Sequence, residues 1–448
     1  MAALVALPER MSATSWWSLM WRDSTTSSIS ASSSCMGLTA TGTPFVGALP
    51  FGRGRRENTP RRYVRQMKSS LARVHERPYS AAVLGVSANG MMAPEAYRSG
   101  EFYRAEIDWV FPASWVFVGH ERWVPAPGDY LAETIGEEPV LVIRNTEGDL
   151  QAFSNVCPHR ASLLVEGRGN CGRRLVCPYH GWTFGLDGRL LAIPRQRGFV
   201  SPVDVSEYGL RELRLEVWEG LVFVNVTGDA PPLLDYLEDV PDLLGGHDIA
   251  SMHLGEFLDD PIAANWKLVM DNAVCDYHLD IVHRESIAAL VDMEELTARA
   301  GATTAVTSVP WKSSQLPPEP HPGLAGAAAE GSLGCFVFPN LHVIGFPTKG
   351  ATIMWWTPTG PATTRARVLG LSHDADADVR SGKELLARVQ REDFDVCEKM
   401  QIGVQSRGYA PGPQHATELR ITAFQRRLLQ MVQQAFDRVD DRHIGVGR

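Results

Sequence analysis

The sequence lacks features that mark several common classes of protein. None of its apolar runs reaches the roughly 18 to 20 residues that a membrane-spanning helix needs, so we expect no integral membrane anchor. Basic charge is not in excess either: 43 Lys and Arg face 52 Asp and Glu, for a net charge of -9. Nucleic acid is therefore not expected as the main partner, because phosphate binding needs a basic face. No glycine-rich loop for a flavin or nicotinamide phosphate is evident.

Paired cysteines are also scarce, since the chain has only 7 cysteines in 448 residues. An odd, scattered set of this kind is typical of a reducing compartment, where thiols bind metals or stay free. With 44% hydrophobic residues, the chain is long enough for one large or two medium globular domains. These properties favour a soluble enzyme.

Acidic residues are missing from part of the N-terminal region. No Asp or Glu lies between Ser24 and Arg56, and residues 1–80 carry 11 basic and 4 acidic side chains. A Ser-rich, Arg-rich, acid-poor leader is typical of organelle transit peptides, and its Ser/Thr excess favours a plastid. A disordered tail without a targeting role has the same composition. We expect residues 1–90 to lie outside the fold, in a protein of the chloroplast stroma, with cytoplasm or mitochondrion as alternatives.

Periodicity divides the remaining chain into two domains. Apolar residues at helical spacing from Ala93 to Phe111 predict a helix, and short β-branched and aromatic runs then continue to about Thr227. Mixed helical and strand patterns follow a Pro-marked linker. We therefore predict a helix plus an all-β domain over residues 91–228, and an α+β domain over residues 229–448.

Two cysteines and two histidines form the most specific motif. Cys157-x-His159 and Cys177-x-x-His180 are separated by 17 residues, and each pair is bracketed by strand-like sequence. Zinc is the competing interpretation, because two cysteines and two histidines are a common zinc set. Zinc fingers, however, place both cysteines on one arm, whereas each arm here holds one of each. This arrangement favours a [2Fe-2S] cluster in which one iron takes both thiolates and the other takes both imidazoles.

The motif resembles that of Rieske oxygenases. The resemblance covers "CPHR" and "CPYHGW" and extends over about Ala93 to Arg427. Respiratory Rieske proteins carry an extra, disulfide-bonded cysteine in each cluster loop, but Cys171 has no such partner in the Cys157 loop, so we predict a free thiol. The resemblance implies a β-rich Rieske domain followed by a helix-grip (START-like) α+β catalytic domain.

A second pair of histidines lies in the C-terminal half, in "NWKLVMDNAVCDYHLDIVHRES". His278 and His283 are five residues apart, which is about 140° net around a helix, so a regular helix cannot aim both at one ion. We expect a helix to end or distort between them. The resemblance implies that they bind a mononuclear Fe(II) and that Asn272 lies near its open coordination position; Asn272 also fits a helix cap or a core polar residue. Trp266 is expected in the core.

A ferrous oxygenase site needs a carboxylate beside its two histidines. The run "QREDFDVCEKMQ" resembles the acidic helix that supplies it in the family, where Asp393 matches the ligand. Glu392 and Asp395 are the alternative ligands within this run. The interpretation without a metal is that the charged run is simply the solvated face of a helix.

One position departs from the family pattern. The residue three before the first iron histidine is usually an acid that links the iron ligand to a Rieske histidine of a neighbouring subunit, but here it is Cys275. Asp276 lies about 200° from His278 on an ideal helix, so it replaces that acid only if the helix is distorted. The alternatives are that Asp276 is a surface acid while Cys275 or water makes the link, or that Asp271 does.

The resemblance is nearest to the choline, carnitine and glycine-betaine monooxygenases. It implies hydroxylation or demethylation of a small quaternary ammonium substrate with O2, in a homotrimer that receives electrons from a separate flavin reductase, directly or through a ferredoxin. Aromatic residues of the C-terminal strands are candidates for cation–π contacts with the substrate: Phe336, Phe338, Trp355 and Trp356. The alternatives are a Rieske oxygenase of ring compounds or pigments, and an electron-transfer protein with a degenerate iron site.

Overall fold

The computed structural model describes residues 91–317, 321–374 and 379–444. The leader predicted over residues 1–90 lies outside the described residues. Within these ranges, no helix combines the length and the apolar character needed to cross a lipid bilayer.

The described chain begins with a broken helix, where the sequence predicts a continuous one from Ala93. Helix α1 ends at Arg98, and Ser99 then caps the next helix by accepting a hydrogen bond from Phe102 N at 3.1 Å. The segments are α1 (Pro94–Arg98), α2 (Gly100–Ala105), a π-helical turn (Glu106–Val110) and α3 (Phe111–Ala113). Phe111 packs edge-on against Trp266 at 5.0 Å. This segment therefore packs against the C-terminal half, although a boundary at residue 228 groups it with the β domain.

The next ten strands form the predicted all-β domain. Seven make an antiparallel sheet in the order β1-β10-β9-β4-β3-β2-β5, and three make a small sheet in the order β6-β7-β8. Their bounds are β1 (Val116–His120), β2 (Asp129–Ile135), β3 (Glu138–Arg144), β4 (Leu150–Ser154), β5 (Arg168–Asn170), β6 (Leu175–Val176), β7 (Thr183–Phe184), β8 (Leu190–Ala192), β9 (Glu212–Trp218) and β10 (Leu221–Asn225). Leu141, Ile143 and Phe153 of the large sheet share one core with Phe184 of the small sheet.

Two short helices, α4 (Leu233–Leu237) and α5 (Val240–Leu244), lead into the second domain. Its seven-stranded antiparallel sheet has the order β11-β17-β16-β15-β14-β13-β12. The strands are β11 (His253–Ile262), β12 (Thr297–Ala300), β13 (Thr304–Pro310), β14 (Gly331–Val337), β15 (Leu341–Gly345), β16 (Gly350–Gly360) and β17 (Thr363–Ser372). The predicted α+β fold is confirmed.

The two faces of this sheet bury different cores because side chains alternate along each strand. On β16, Ile353 and Trp355 pack with Leu237 and Leu244, on the side of α4 and α5. Met354 and Trp356 belong to the core on the opposite face. That face is covered by helices α6 (Trp266–Ala273), α9 (Val379–Gly403) and α10 (Leu419–Ile444); the remaining helices are α7 (Leu279–Val282) and α8 (Ala327–Glu330). Trp266 is fully buried, as predicted.

Buried polar groups fix α6 against its neighbours. Tyr97 Oη donates to Asp271 Oδ2 at 2.5 Å, and Gln425 Nε2 donates to Asp271 Oδ1 at 2.9 Å. Lys267 Nζ lies 2.8 Å from Glu106 Oε1, with both side chains 0% exposed. These contacts join α1, the π-helical turn and α10 to one short helix. Burial raises the pKa of Asp271 to about 7.

Asp271 gives stability a defined pH dependence. Because folding raises its pKa from 3.8 to about 7, folding takes up a proton in that window, so this group favours the folded state less as pH rises from about 4 to about 7. Asp271→Asn removes this pH-dependent contribution to the free energy of unfolding, which is at most about 4 kcal/mol. Urea unfolding at pH 5 and pH 8 should therefore show a smaller loss of stability in the variant than in the wild type.

The exposed Asp395→Asn is the matched control and should keep the wild-type pH slope. Equal slopes in the wild type and Asp271→Asn would contradict the assignment.

Candidate metal centres and pocket

Two loops of the β domain share one hydrogen-bond pattern. Cys157 N donates to Ser162 O and Cys177 N donates to Trp182 O, both at 2.8 Å. Each cysteine carbonyl then accepts a bond of 3.0 Å from the residue four positions later, Ala161 or Gly181, and both of these have positive φ. The two loops therefore hold their cysteines in equivalent backbone turns.

The four candidate ligands of these loops lie at two depths. The Cys157 and Cys177 thiols belong to the domain core, whereas His159 is half-exposed and His180 is exposed. The two imidazole centroids lie 4.6 Å apart, and Trp182 stacks on His159 at 4.8 Å. His159 Nδ1 has no hydrogen-bond partner in the described part of the chain, as expected of a ligand atom. This arrangement fits a [2Fe-2S] cluster with a thiolate-bound inner iron and an imidazole-bound outer iron. Cys171 is a free thiol, as predicted.

A second set of donors converges in the α+β domain. His278 Nε2 and His283 Nε2 lie 3.2 Å apart, and Asp393 Oδ1 lies 3.4 Å and 3.1 Å from them. Two ligand atoms at right angles, each about 2.1 Å from a first-row metal ion, lie about 3 Å apart, so the triangle fits one face of an octahedron. Asp393 Oδ1 has no hydrogen-bond partner within the described residues, so it is available to an ion. The set suits Fe(II) with open positions.

The end of the helix that allows this convergence lies earlier in the chain than the sequence predicts. Helix α6 ends at Ala273, with Val274 as its cap, so the break precedes His278. His278 and His283 then flank α7, a single turn of four residues. Neither histidine is inside a long regular helix. Their five-residue spacing therefore does not force the two side chains about 140° apart.

Glu392 acts next to the triad and is not a third ligand in this arrangement. Its Oε2 lies 2.8 Å from His283 Nδ1 and accepts a 2.8 Å bond from Ser286 Oγ. Bonding at Nδ1 places the imidazole proton there and leaves Nε2 free for a metal. Burial alone would lower the pKa of His283, but the Asp393 and Glu392 carboxylates outweigh it and raise this pKa. Asp395, the other alternative, is exposed.

Cys275, Asp276 and Asp271 are the candidates for the residue that links the iron site to a Rieske histidine. They lie in three different environments. Cys275 Sγ is 4.0 Å from Glu418 Oε1. Asp276 is 1% exposed and forms an ion pair with Arg420, so the surface-acid alternative is wrong. Asp271 belongs to the Tyr97 network described above, and His278 Nδ1 has no hydrogen-bond partner in the part of the chain that the structure describes.

Sequence reasoning missed Arg420 and His342. Arg420 lies in α10, 144 residues from Asp276, and its Nη1 lies 3.3 Å from His342 Nε2. An arginine in an amphipathic helix normally indicates a solvated face, so no local signal identifies this one as buried.

A pocket adjoins the triad and has a volume of about 270 Å³. One face of the sheet, one side of α9 and the segments around Leu290 and Trp311 line it, together with Asn272. Leu386, Gln390, Asp393 and Cys397 of α9 recur at helical spacing along its wall. Most of the lining is apolar.

The aromatic wall differs from the predicted one. Trp356 lines the pocket, but Phe336 and Phe338 pack near Phe424 in the core, and Trp355 faces the opposite side of the sheet. Side-chain alternation explains Trp355, because it is adjacent to Trp356. The other pocket aromatics are Trp311, Phe346 and Phe394.

The two centres together define a class of enzyme. A Rieske-type cluster held by the first set would supply electron transfer, and an iron held by the two-histidine, one-carboxylate set beside an apolar pocket would supply dioxygen activation. Residues 114–209 match the Rieske [2Fe-2S] domain family, and residues 242–434 match the catalytic domain of the ring hydroxylating alpha subunit. The chain belongs to the Rieske non-haem iron oxygenases and is an alpha subunit of that family.

Known proteins support this assignment. Over 362 residues, the chain is 29% identical to the glycine betaine monooxygenase oxygenase subunit of Chromohalobacter salexigens, covering 72% of this chain and 81% of the relative. It is 35% identical over 196 residues to the large oxygenase component of naphthalene 1,2-dioxygenase of Pseudomonas putida, covering 42% and 43%. The solved structure of the quaternary ammonium Rieske monooxygenase CntA with an inhibitor has a TM-score of 0.69 at 24% identity, covering 80% and 99%, and so shows the same fold.

Glu392 provides a test of the iron site. Glu392→Ala should weaken iron binding about 10- to 100-fold, because the acceptor that orients His283 is lost. Iron retained against a graded chelator, measured by metal analysis, gives this affinity. Asp395→Asn, on the exposed side of the same helix, is the control and should retain iron like the wild type. Equal loss in both variants would show that Glu392 has no specific role.

Proposed function

We propose that the protein is a Rieske monooxygenase that hydroxylates an N-methyl group of a small quaternary ammonium compound. O2, two protons and two electrons from a separate flavin reductase, directly or through a ferredoxin, give the hydroxymethyl ammonium product and water. This product then releases formaldehyde and a proton and leaves the tertiary amine. The observation that carries the proposal is the convergence of His278, His283 and Asp393 on the edge of a mostly apolar pocket. The relationship to a glycine betaine monooxygenase subunit supports the substrate class.

The residues of this chain divide the work. His278, His283 and Asp393 would hold the iron, which supplies dioxygen activation when bound. Glu392 keeps the His283 proton on Nδ1. The apolar lining excludes water, and the rings of Trp311 and Phe346, 6.4 Å apart, offer a corner for a quaternary ammonium group.

A second candidate is hydroxylation of an aromatic ring. The mostly apolar wall of the pocket favours it, since such a wall would accept a flat hydrocarbon. The electron-transfer alternative is disfavoured by the complete triad, because a degenerate site would have lost a ligand.

Iron content and oxygen uptake test the proposal together. The wild type should bind about three irons per chain, His283→Ala about two and Cys157→Ser about one, because the cluster and the single iron use separate ligands. With a reductase, oxygen uptake should depend on a trimethylammonium compound and yield formaldehyde. Both variants should lack this activity.

A wild-type stoichiometry of two would support the electron carrier. Uptake with naphthalene and with none of the trimethylammonium compounds would support the ring-hydroxylating candidate instead.

Exposed apolar side chains support a head-to-tail homotrimer. One group surrounds the cluster loops: Leu163, Val176, Tyr179, Leu191, Phe199, Val200 and Tyr208. The other lies on the helices and turns around the mononuclear site: Tyr277, Ile281, Ile402, Tyr409 and Leu419. Two different apolar surfaces on one chain suit a heterologous interface that closes into a ring.

Val200 is the most exposed of these residues, and Val200→Asp should weaken the trimer. A buried unpaired charge at an interface costs several kcal/mol, so sedimentation should shift from trimer towards monomer while the visible spectrum of the cluster is kept. Leu234→Asp is the control, because Leu234 is 59% exposed outside both groups. A monomeric wild type, or a trimeric Val200→Asp at low concentration, would contradict this interface.

A further inference from the structure

The charged groups beside the pocket already neutralise one another. Arg420 Nε and Nη2 donate to Asp276 Oδ2 and Oδ1 at 2.9 and 2.5 Å, and its Nη1 lies 3.3 Å from His342 Nε2. The Arg420 and Asp276 side chains are 2% and 1% exposed. Among the described residues that line the pocket, Arg420 is the only Lys or Arg. A ligand carboxylate would therefore find no uncompensated cationic side chain there.

An uncharged group is available in the same pocket. Gln390 is 4% exposed, and its Oε1 has no hydrogen-bond partner in the described ranges. Its Nε2 is 3.7 Å from the thioether sulfur of Met354, which is only a weak acceptor. Since Gln390 lies one helical turn before Asp393, its amide is on the same side of α9 as the triad. A buried amide without good partners is costly unless a ligand completes its bonds.

His342 adds a second uncharged group to the pocket wall. Arg420 Nη1 can only donate, so His342 Nε2 accepts and the ring proton lies on Nδ1, which has no partner within the described chain. Burial, reinforced by the Arg420 charge, lowers the pKa of His342 well below its usual value, so the ring is neutral. The unfilled Gln390 Oε1 can only accept, so it favours a ligand donor such as a hydroxyl, and neither Gln390 nor the neutral His342 ring offers a positive charge to a carboxylate.

We propose that the substrate is a quaternary ammonium compound that carries a neutral hydrogen-bonding group, such as a hydroxyl, and no carboxylate, and that Gln390 binds this group. The inference rests on the proposed function and specifies its substrate class. A carboxylate entering this pocket would lose its hydration without gaining an unpaired cationic side chain, whereas a hydroxyl would complete the Gln390 amide.

Three trimethylammonium probes test the inference by direct binding to the iron-loaded protein under anaerobic conditions. Choline carries a hydroxyl, glycine betaine carries a carboxylate, and tetramethylammonium carries neither. Calorimetry should give an affinity for choline at least about tenfold higher than for glycine betaine. Glycine betaine binding as tightly as choline or more tightly would overturn the inference.

Gln390→Leu separates the role of the amide from general damage to the pocket. It should weaken choline binding about three- to tenfold and leave tetramethylammonium binding unchanged, because only choline offers a hydroxyl. Gln315→Leu is the matched control: this second pocket glutamine is partly exposed to water, so its replacement should change neither affinity. Equal weakening of both probes by Gln390→Leu would overturn the assignment of Gln390.

Asp276→Asn tests why carboxylates are excluded. It keeps an acceptor for Arg420 but leaves the guanidinium charge uncompensated, so glycine betaine should bind about tenfold or more tightly than to the wild type. A thermal melt checks that this buried change leaves the protein folded, and Gln390→Leu tests the inference independently if it does not. A folded Asp276→Asn with unchanged glycine betaine affinity would overturn the role of Arg420.

The outcomes distinguish this inference from the proposed function. If no trimethylammonium compound binds or is oxidised, the proposed function fails. If these compounds are oxidised but the carboxylate is preferred, the proposed function stands and the further inference fails.

Discussion

The architecture of the catalytic domain depends on holding three ligand atoms within 3.4 Å of one another. Nitrogen lone pairs and a carboxylate oxygen this close repel unless a cation or proton lies between them, so the surrounding fold must hold them in place. The early end of α6 frees His278 and His283 to turn inwards, and α9 brings Asp393 to meet them. The Glu392 bond to His283 then prevents rotation of one ring. These features preorganise the site.

Buried charge pairs are the second constraint, because each pair fixes the relative position of two segments of the chain. Lys267 with Glu106, and Arg420 with Asp276, are charge pairs removed from water. Such pairs add little net stability, but breaking one leaves a costly lone charge, so each strongly favours one arrangement of the segments it joins. The first pair holds the π-helical turn against α6, and the second holds α10 against the chain just before His278. Both therefore fix the backbone that leads into the two iron histidines.

Local sequence patterns predict the features that depend on the spacing of residues close together in the chain. The loops of Cys157 and Cys177, the histidine pair and the strand-rich first domain all follow from residues less than 30 positions apart. The contacts of Asp276 with Arg420 and of His283 with Glu392 span 144 and 109 residues, and no periodicity encodes them. The aromatic pattern predicts one wall that holds both Trp355 and Trp356, although neighbouring strand residues face opposite sides of a sheet. Pairing across the fold therefore decides which polar and aromatic residues reach the pocket.

The same long-range pairing separates the two kinds of chemistry in the active site. The metal ligands need negative charge and free lone pairs, whereas an ammonium substrate needs apolar walls and no competing cation. The Asp276 carboxylate makes this compatible with the presence of Arg420, because a neutralised guanidinium neither repels an ammonium group nor attracts an anion strongly. Gln390, one turn from Asp393, then adds polarity close to the iron site without adding charge. The pocket is consequently polar where a substrate would be oriented and close to electrically neutral elsewhere.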